Sequence, residues 1–191
     1  RSMFPTAGEA FVNAIFTVSS MISSTGFSAV DFNVWPELSR TIIVLIMFIG
    51  ACTGSTGGGI KVYRIVILFK SMGKELHTLI HPKQVKKIRM DQHEIEHEVI
   101  RSVNVFMVCF ILVFVISLLC ISFEDYDMIT NFTAVATTIN NIGPGLDLVG
   151  PTENFSFFSP FSKAVLIFDM LAGRLELFPM LLLFAPVTWK K

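Results

Sequence analysis

Two short segments with similar residues could line a path for ions. The first, residues 21–28, reads MISSTGFS, and the second, residues 138–145, reads TINNIGPG. Their glycines, Gly26 and Gly143, lie 117 residues apart in the same local setting. A monovalent cation that loses its hydration shell needs oxygen ligands, and backbone carbonyls held by a glycine turn supply these without a fixed charge. The repeated turn therefore predicts an ion pathway.

Short helices must position these turns. Residues 10–22 and 129–139 are rich in apolar and hydroxyl side chains, and both segments are shorter than the roughly 20 residues that cross a hydrocarbon core. Non-helical backbone at membrane depth is tolerated only where it is buried in protein or lines water. A half-helix that ends in a turn is thus typical of a re-entrant pore loop. Either turn alone could be an ordinary loop, and the matched pair favours the pore.

The composition indicates a membrane protein. Hydrophobic residues make up 52% of the chain and charged residues 16%, against about 25% charged residues in soluble domains, and the mean hydropathy is +0.65. Residues 103–123 carry no charge and predict a complete transmembrane helix. Residues 164–185 predict a last spanning segment, although Asp169, Arg174 and Glu176 lie within it. Because the chain starts with no initiator or signal pattern, we expect it to be part of a longer protein.

A glycine-rich segment interrupts another apolar stretch. Residues 41–52 and 60–69 are apolar. Between them lie Gly54, Gly57, Gly58 and Gly59. Each glycine in a helix interior costs about 1 kcal/mol relative to alanine, so the helix should break there, within or near the membrane. The segment does not match the nucleotide-binding P-loop, in which a lysine directly follows the last glycine. The predicted fold is an all-α membrane protein with repeated helix–pore-loop–helix units and a broken inner helix.

The charges predict the orientation of the chain. Residues 61–90 contain eight lysines and arginines and one acidic residue, Glu75. By the positive-inside rule this stretch faces the cytoplasm, and we assign residues 73–97 to a basic cytoplasmic linker. Residues 103–161 contain acids but no lysine or arginine, so both turns should face an outer surface that enriches cations. The linker fits contact with anionic membrane lipids, and no aromatic residues interleave its charges as a nucleic-acid surface would require.

One motif supports a different class of function. His93, Glu94 and His97 match H-E-x-x-H, a helix motif in which two histidines bind zinc and the glutamate activates water. The alternative prediction is a membrane-embedded zinc metalloprotease. A catalytic zinc site needs a third protein ligand, and residues 99–123 contain neither histidine nor carboxylate. We therefore expect no zinc site and no enzyme activity.

Four motifs together carry a resemblance to a known protein family. They are Ser24-Thr25-Gly26-Phe27-Ser28, Gly54-Ser55-Thr56-Gly57-Gly58-Gly59-Ile60-Lys61, Asn140-Asn141-Ile142-Gly143-Pro144-Gly145 and Gly173-Arg174-Leu175-Glu176. The chain resembles the Trk/Ktr/HKT superfamily of potassium transporters, and most closely its TrkH type. In that superfamily four repeats of outer helix, pore helix, filter loop and inner helix surround one pore, as in potassium channels. The resemblance places residues 1–72 in the third repeat, without its outer helix, and residues 98–191 in the fourth.

The resemblance also implies site residues. The implied potassium-binding filter consists of carbonyl groups around Ser24, Thr25, Gly26, Asn141, Ile142 and Gly143. Glycine at both filter positions implies potassium preference, and because each turn shares only one glycine with the TVGYG of potassium channels, the implied filter is shorter and less selective. The implied gate consists of the loop with Gly54, Gly57, Gly58 and Gly59, together with Arg174. The alternative for Arg174 is pairing with Asp169 or Glu176 for packing alone.

The function implied by the resemblance is potassium uptake across the cytoplasmic (inner) membrane by a multi-pass protein. Potassium is then the transported ion, and this chain binds no cofactor. The implied partners are the remaining two pore repeats, a second copy in a homodimer, membrane lipids and a cytoplasmic nucleotide-binding RCK-type regulatory subunit. The residues are compatible with channel-like transport and with transport coupled to sodium or protons.

Overall fold

A computed structural model describes residues 4–50, 52, 54–55, 57–81, 88–90, 93–175 and 177–184. Within these residues the chain forms seven α-helices and four strands of two residues each. Single turns of 3-10 helix occur in the connections between helices. The architecture is therefore helical, and the strands only close loops.

The two half-helices are α1 (Ala7–Ile22) and α5 (Met128–Ile139). Both begin slightly before the predicted segments because a side chain caps each N-terminus. The hydroxyl of Thr6 accepts a hydrogen bond from the first turn of α1 at 3.2 Å, and the carboxylate of Asp127 does the same for α5 at 3.0 Å. Both helices end at the predicted residue, directly before the repeated turn.

We call the described residues of 4–81 the first unit and those of 88–184 the second. The glycine-rich segment breaks the apolar stretch of the first unit, as predicted. Helix α2 (Glu37–Phe48) ends before it, and helix α3 (Val62–Ile80) follows it. Between them, β1 (Ile49–Gly50) pairs in parallel with β2 (Ile60–Lys61), so the ends of the interruption are held side by side. Helix α3 continues to Ile80, and the first eight residues of the predicted linker are therefore helical.

A short hairpin leads into the longest apolar helix that the structure describes. Strand β3 (Arg89–Met90) pairs antiparallel with β4 (His93–Glu94), and helix α4 (His97–Ile121) follows. The predicted linker residues 82–87 and 91–92 lie outside the described residues. Among those that are described, the helical stretch His97–Glu124 is the one helix long and apolar enough to cross a membrane, and an 18-residue window within it has a mean hydropathy of 3.1. Helix α4 begins before the predicted position 103 and includes a charged first turn.

Residues 164–185, predicted as a last spanning segment, do not form one continuous helix. Helix α6 (Pro160–Arg174) ends first, and a separate helix α7 (Leu177–Phe184) follows. Pro179 explains the break, because in a continuous helix its ring would clash with the carbonyl group of Leu175. In the first turn of α7 a proline is tolerated, since its missing N–H group has no partner to lose there.

Helix α5 lies at the centre of the second unit. Nine of its twelve residues are buried, and it packs between α4 and α6. Helix α1, which has the same place in the first unit, has three buried residues and contacts α2. The turn after α5 joins both units, because Ile142 and Leu146 pack in one apolar cluster with Met21 and Met47.

Candidate functional site

The two repeated turns have the same backbone conformation. Ser24 and Asn141, two residues after the ends of α1 and α5, both have a φ of 54°. Two backbone hydrogen bonds close each turn. In the first turn, the N–H group of Ser24 donates to Met21 O (3.1 Å) and that of Thr25 to Ser20 O (3.0 Å). In the second turn, the N–H group of Asn141 donates to Thr138 O (3.0 Å) and that of Ile142 to Thr137 O (2.9 Å). This is the Schellman arrangement, in which a left-handed residue closes the helix end. The sequence similarity therefore reflects one structural unit used twice.

The turns also contact each other. Gly26 has a φ of 76°, and a Cβ atom built on it would lie 2.0 Å from the carbonyl oxygen of Ile142. Because Ile142 is bonded to Gly143, the Cα atoms of the two glycines lie within about 7 Å of each other. Two turns whose carbonyl groups share one ion must approach this closely. The residues predicted as a filter are thus brought together.

The glycine-rich segment lies against both turns. A Cβ atom built on Gly58 would lie 2.6 Å from the carbonyl oxygen of Asn140, and one built on Gly59 would lie 2.7 Å from Asn140 Oδ1. A Cβ atom on Gly57 would lie 3.2 Å from Ser24 Oγ. The backbone can approach the turns this closely because these positions carry no side chain. Gly54 has no such neighbour within 4 Å.

Arg174 and the glycine-rich segment line one cavity of about 120 Å³. Its lining includes Ser55, Gly57, Gly59, Lys61, Arg64, Gly173 and Arg174. Three of the predicted gate residues therefore meet at one place. The carboxyl group of Asp169, considered as a partner for Arg174, accepts its hydrogen bond from Ser117 instead.

Sequence reasoning missed two basic residues of this cavity. Lys61 and Arg64 belong to the basic stretch that we assigned to the cytoplasmic side, and the structure places both at the cavity beside the glycine-rich segment. Arg64 is only 6% exposed, and its guanidinium carbon lies 3.8 Å from the centre of the Phe106 ring. A buried arginine over an aromatic face is stabilised by the cation–π attraction. Their position directly after the glycine-rich segment was the available signal.

A link between the loops that follow the two turns was also missed. The side chain of Asn33 donates to the carbonyl oxygen of Asp147 at 3.0 Å and accepts from its N–H group at 2.8 Å. Asp147 has a left-handed φ of 56°, and its carboxylate accepts a hydrogen bond from Thr130 at 2.6 Å. The loops above the two turns are therefore fixed to each other.

The zinc-protease alternative is not supported. His93 lies in strand β4 and His97 is the first residue of helix α4, so the motif is not on one helix face as zinc binding by H-E-x-x-H requires. Within the described ranges, no group of three or more histidine, cysteine, aspartate or glutamate residues is arranged to hold a metal ion.

Comparison with known proteins identifies the family. A family model described as TrkH, cation transport protein, matches residues 3–191. The chain belongs to the TrkH family. It is 37% identical over its whole length to the Trk system potassium uptake protein TrkH of Salmonella typhimurium, and 39% identical over 178 residues to the protein of that name from Escherichia coli K12. These alignments cover 100% and 93% of the chain.

A solved structure has the same fold. The crystal structure of the potassium transporter TrkH from Vibrio parahaemolyticus superposes on 98% of the chain with a TM-score of 0.88 and 36% sequence identity. The predicted all-α membrane transporter fold and the predicted superfamily are thereby confirmed, and the relatives are named as transporters, not enzymes. The chain spans 36–40% of the length of these relatives.

Proposed function

We propose that the chain supplies two neighbouring pore repeats of a potassium uptake transporter in the cytoplasmic membrane. The observation that carries this proposal is the contact between the two turns, in which Gly26 lies against the carbonyl group of Ile142. Carbonyl oxygens from both turns can then face one dehydrated ion. The names of the similar proteins, which specify potassium uptake, support potassium as that ion.

We assign the filter to the carbonyl groups of both turns. The filter residues are Ser24, Thr25, Gly26, Asn141, Ile142 and Gly143. Below them, the loop that contains Gly57, Gly58 and Gly59 acts as the gate, and Arg174 holds it from helix α6. The cavity that Arg174 shares with this loop supports the assignment. An intramembrane arginine costs at least about 2.5 kcal/mol on insertion scales, which favours a functional role.

The exposed face of helix α1 supports further pore repeats as partners. Phe11, Val12, Ile15 and Phe16 of this helix are 44–67% exposed. Helix α5 has the same place in its unit and is enclosed by α4 and α6. Two further repeats of the same protein would enclose α1 in the same way. The words "Trk system" in the relatives' names favour additional subunits, and we propose a homodimer with a cytoplasmic nucleotide-binding RCK-type ring.

Ion selectivity in the complete transporter tests the proposal. Gly143→Ser should lower the ratio of potassium to sodium uptake in proteoliposomes about tenfold, because a side chain at a φ of 110° strains the turn by roughly 1–2 kcal/mol. Gly73→Ser is the matched control, since Gly73 lies in α3 with nothing within 4 Å of an added Cβ atom. Absence of potassium uptake in the unmodified protein, or equal ratios in both variants, would refute the proposal.

A further inference from the structure

One buried carboxyl group has no place in the function proposed above. Asp169 lies in helix α6, is completely buried, and accepts a hydrogen bond from Ser117 Oγ in α4 at 2.6 Å. Its Oδ2 atom has no hydrogen-bond partner within the described part of the chain. Burial of a carboxyl group with one hydrogen bond is costly, and acidic residues within membrane helices usually serve a function. The group therefore needs an explanation beyond packing.

The next residue of the helix touches the filter turn. The carbonyl oxygen of Met170 accepts a hydrogen bond from Asn141 Nδ2 at 3.1 Å. One turn further, a Cβ atom built on Gly173 would lie 1.9 Å from the carbonyl oxygen of Ile139, the last residue of helix α5. The same stretch of α6 is thus bound to α4 on one side and to the filter turn on the other.

We propose that Asp169 is a positioning residue for ion selectivity. Its hydrogen bond with Ser117 fixes the rotation and height of α6, and the carbonyl group of Met170 then holds Asn141 in its left-handed conformation. A hydrogen bond is suited to this task because it is directional, whereas apolar contact between the helices would permit small rotations. The inference rests on the proposed function, since it assigns Asp169 a role in the same filter.

The helix pair offers a matched control. Ser162, also completely buried in α6, donates its hydroxyl group to the carboxylate of Glu124 just beyond the end of α4. Ser117→Ala removes a buried serine–carboxyl bond between α6 and α4, and Ser162→Ala removes a partly buried one between α6 and the turn after α4, where Glu124 also accepts hydrogen bonds from Ser159. Ser162 lies two turns away from Asp169, and its hydrogen bonds join it to Ser159 and Glu124.

The experiment measures potassium and sodium uptake by the complete transporter in proteoliposomes, together with the yield of folded protein. Ser117→Ala and Asp169→Ala should each lower the potassium-to-sodium ratio about fivefold, which corresponds to about 1 kcal/mol. Asp169→Asn keeps an oxygen acceptor for Ser117 and should retain the ratio within about twofold. Ser162→Ala should lower the yield of folded protein without changing the ratio. The double variant Ser117→Ala/Asp169→Ala should have the same potassium-to-sodium ratio as Asp169→Ala, since both changes remove the same hydrogen bond.

The outcomes separate this inference from the proposed function. If the unmodified transporter takes up no potassium, the proposed function itself fails. If it does, and folded Asp169→Ala keeps the original ratio, Asp169 has no role in selectivity. If Ser162→Ala lowers the potassium-to-sodium ratio as much as Asp169→Ala does, the inference is also overturned, because weaker packing of the two helices would then explain the effect.

Discussion

Ser24 and Asn141 adopt the same left-handed φ of 54° at the same position of two turns that lie 117 residues apart. Left-handed backbone costs residues other than glycine roughly 1–2 kcal/mol, and asparagine tolerates it better than serine. Both turns are closed by the same pair of backbone hydrogen bonds, which offset this cost. The conformation at these two residues therefore sets the direction of the backbone carbonyl groups in the residues that follow them.

The first prediction concerns this conformation. Ser24→Val should destabilise the folded protein by about 1–2 kcal/mol, because a β-branched side chain fits a positive φ poorly. Ser24→Gly should be close to neutral at the same position. Thermal unfolding of the purified protein measures both effects. Ser102→Val, at an exposed position of helix α4, is the control and should change stability by only a few tenths of a kcal/mol.

The second prediction concerns the contact between the turns. Gly26→Ala should abolish potassium uptake, because the added Cβ atom would overlap the carbonyl oxygen of Ile142 at 2.0 Å. Gly8→Ala in helix α1 has nothing within 4 Å of the new atom and should be tolerated. Uptake assays in cells that lack their own potassium transporters compare the two. Normal uptake by Gly26→Ala would mean that the turns are not packed as described.

Local signals explain what could be predicted from the sequence. The half-helices and turns could be predicted from short apolar segments that are followed by Gly26 and Gly143. The broken helix could be predicted from four clustered glycines. The division between α6 and α7 was predictable too, because Pro179 is incompatible with a helix that continues from Leu175.

Contacts between distant segments explain what could not be predicted. Arg64 is buried because Phe106 of another helix covers it, and the position of Arg64 after the glycine-rich segment does not by itself indicate this contact. The bonds between Asn33 and Asp147 join residues 114 positions apart, so no spacing rule finds them. The packing of Gly58 against Asn140 likewise depends on how two units assemble.

The third prediction concerns the gate. Arg174→Ala, or deletion of residues 57–59, should raise basal potassium flux, because either change removes a part of the cavity below the turns. Arg174→Ala should change selectivity little, since it leaves the turn residues in place, whereas the deletion also removes the contacts of residues 57–59 with Ser24 and Asn140. Lys163→Ala removes a basic residue near the other end of α6 and should leave flux unchanged. Flux that stays flat or falls in both well-folded gate variants would leave Arg174 with a packing role.

The fourth prediction concerns the link between the loops that follow the two turns. Asn33→Ala removes two hydrogen bonds to the backbone of Asp147 and should cost about 1–2 kcal/mol of stability. Asn13→Ala removes one hydrogen bond within a single helix and should cost less. Denaturation of the purified protein compares the two variants, and equal losses would show that the link between the loops adds nothing.

The central claim is that both turns bind one permeating ion. Anomalous diffraction from crystals of the complete transporter grown with rubidium tests it most directly, because rubidium replaces potassium and can be located by its own signal. We expect a peak coordinated by carbonyl oxygens of residues 24–26 and 141–143. A transporter that takes up rubidium but shows no peak between these turns, or shows it at another part of the chain, would contradict the claim.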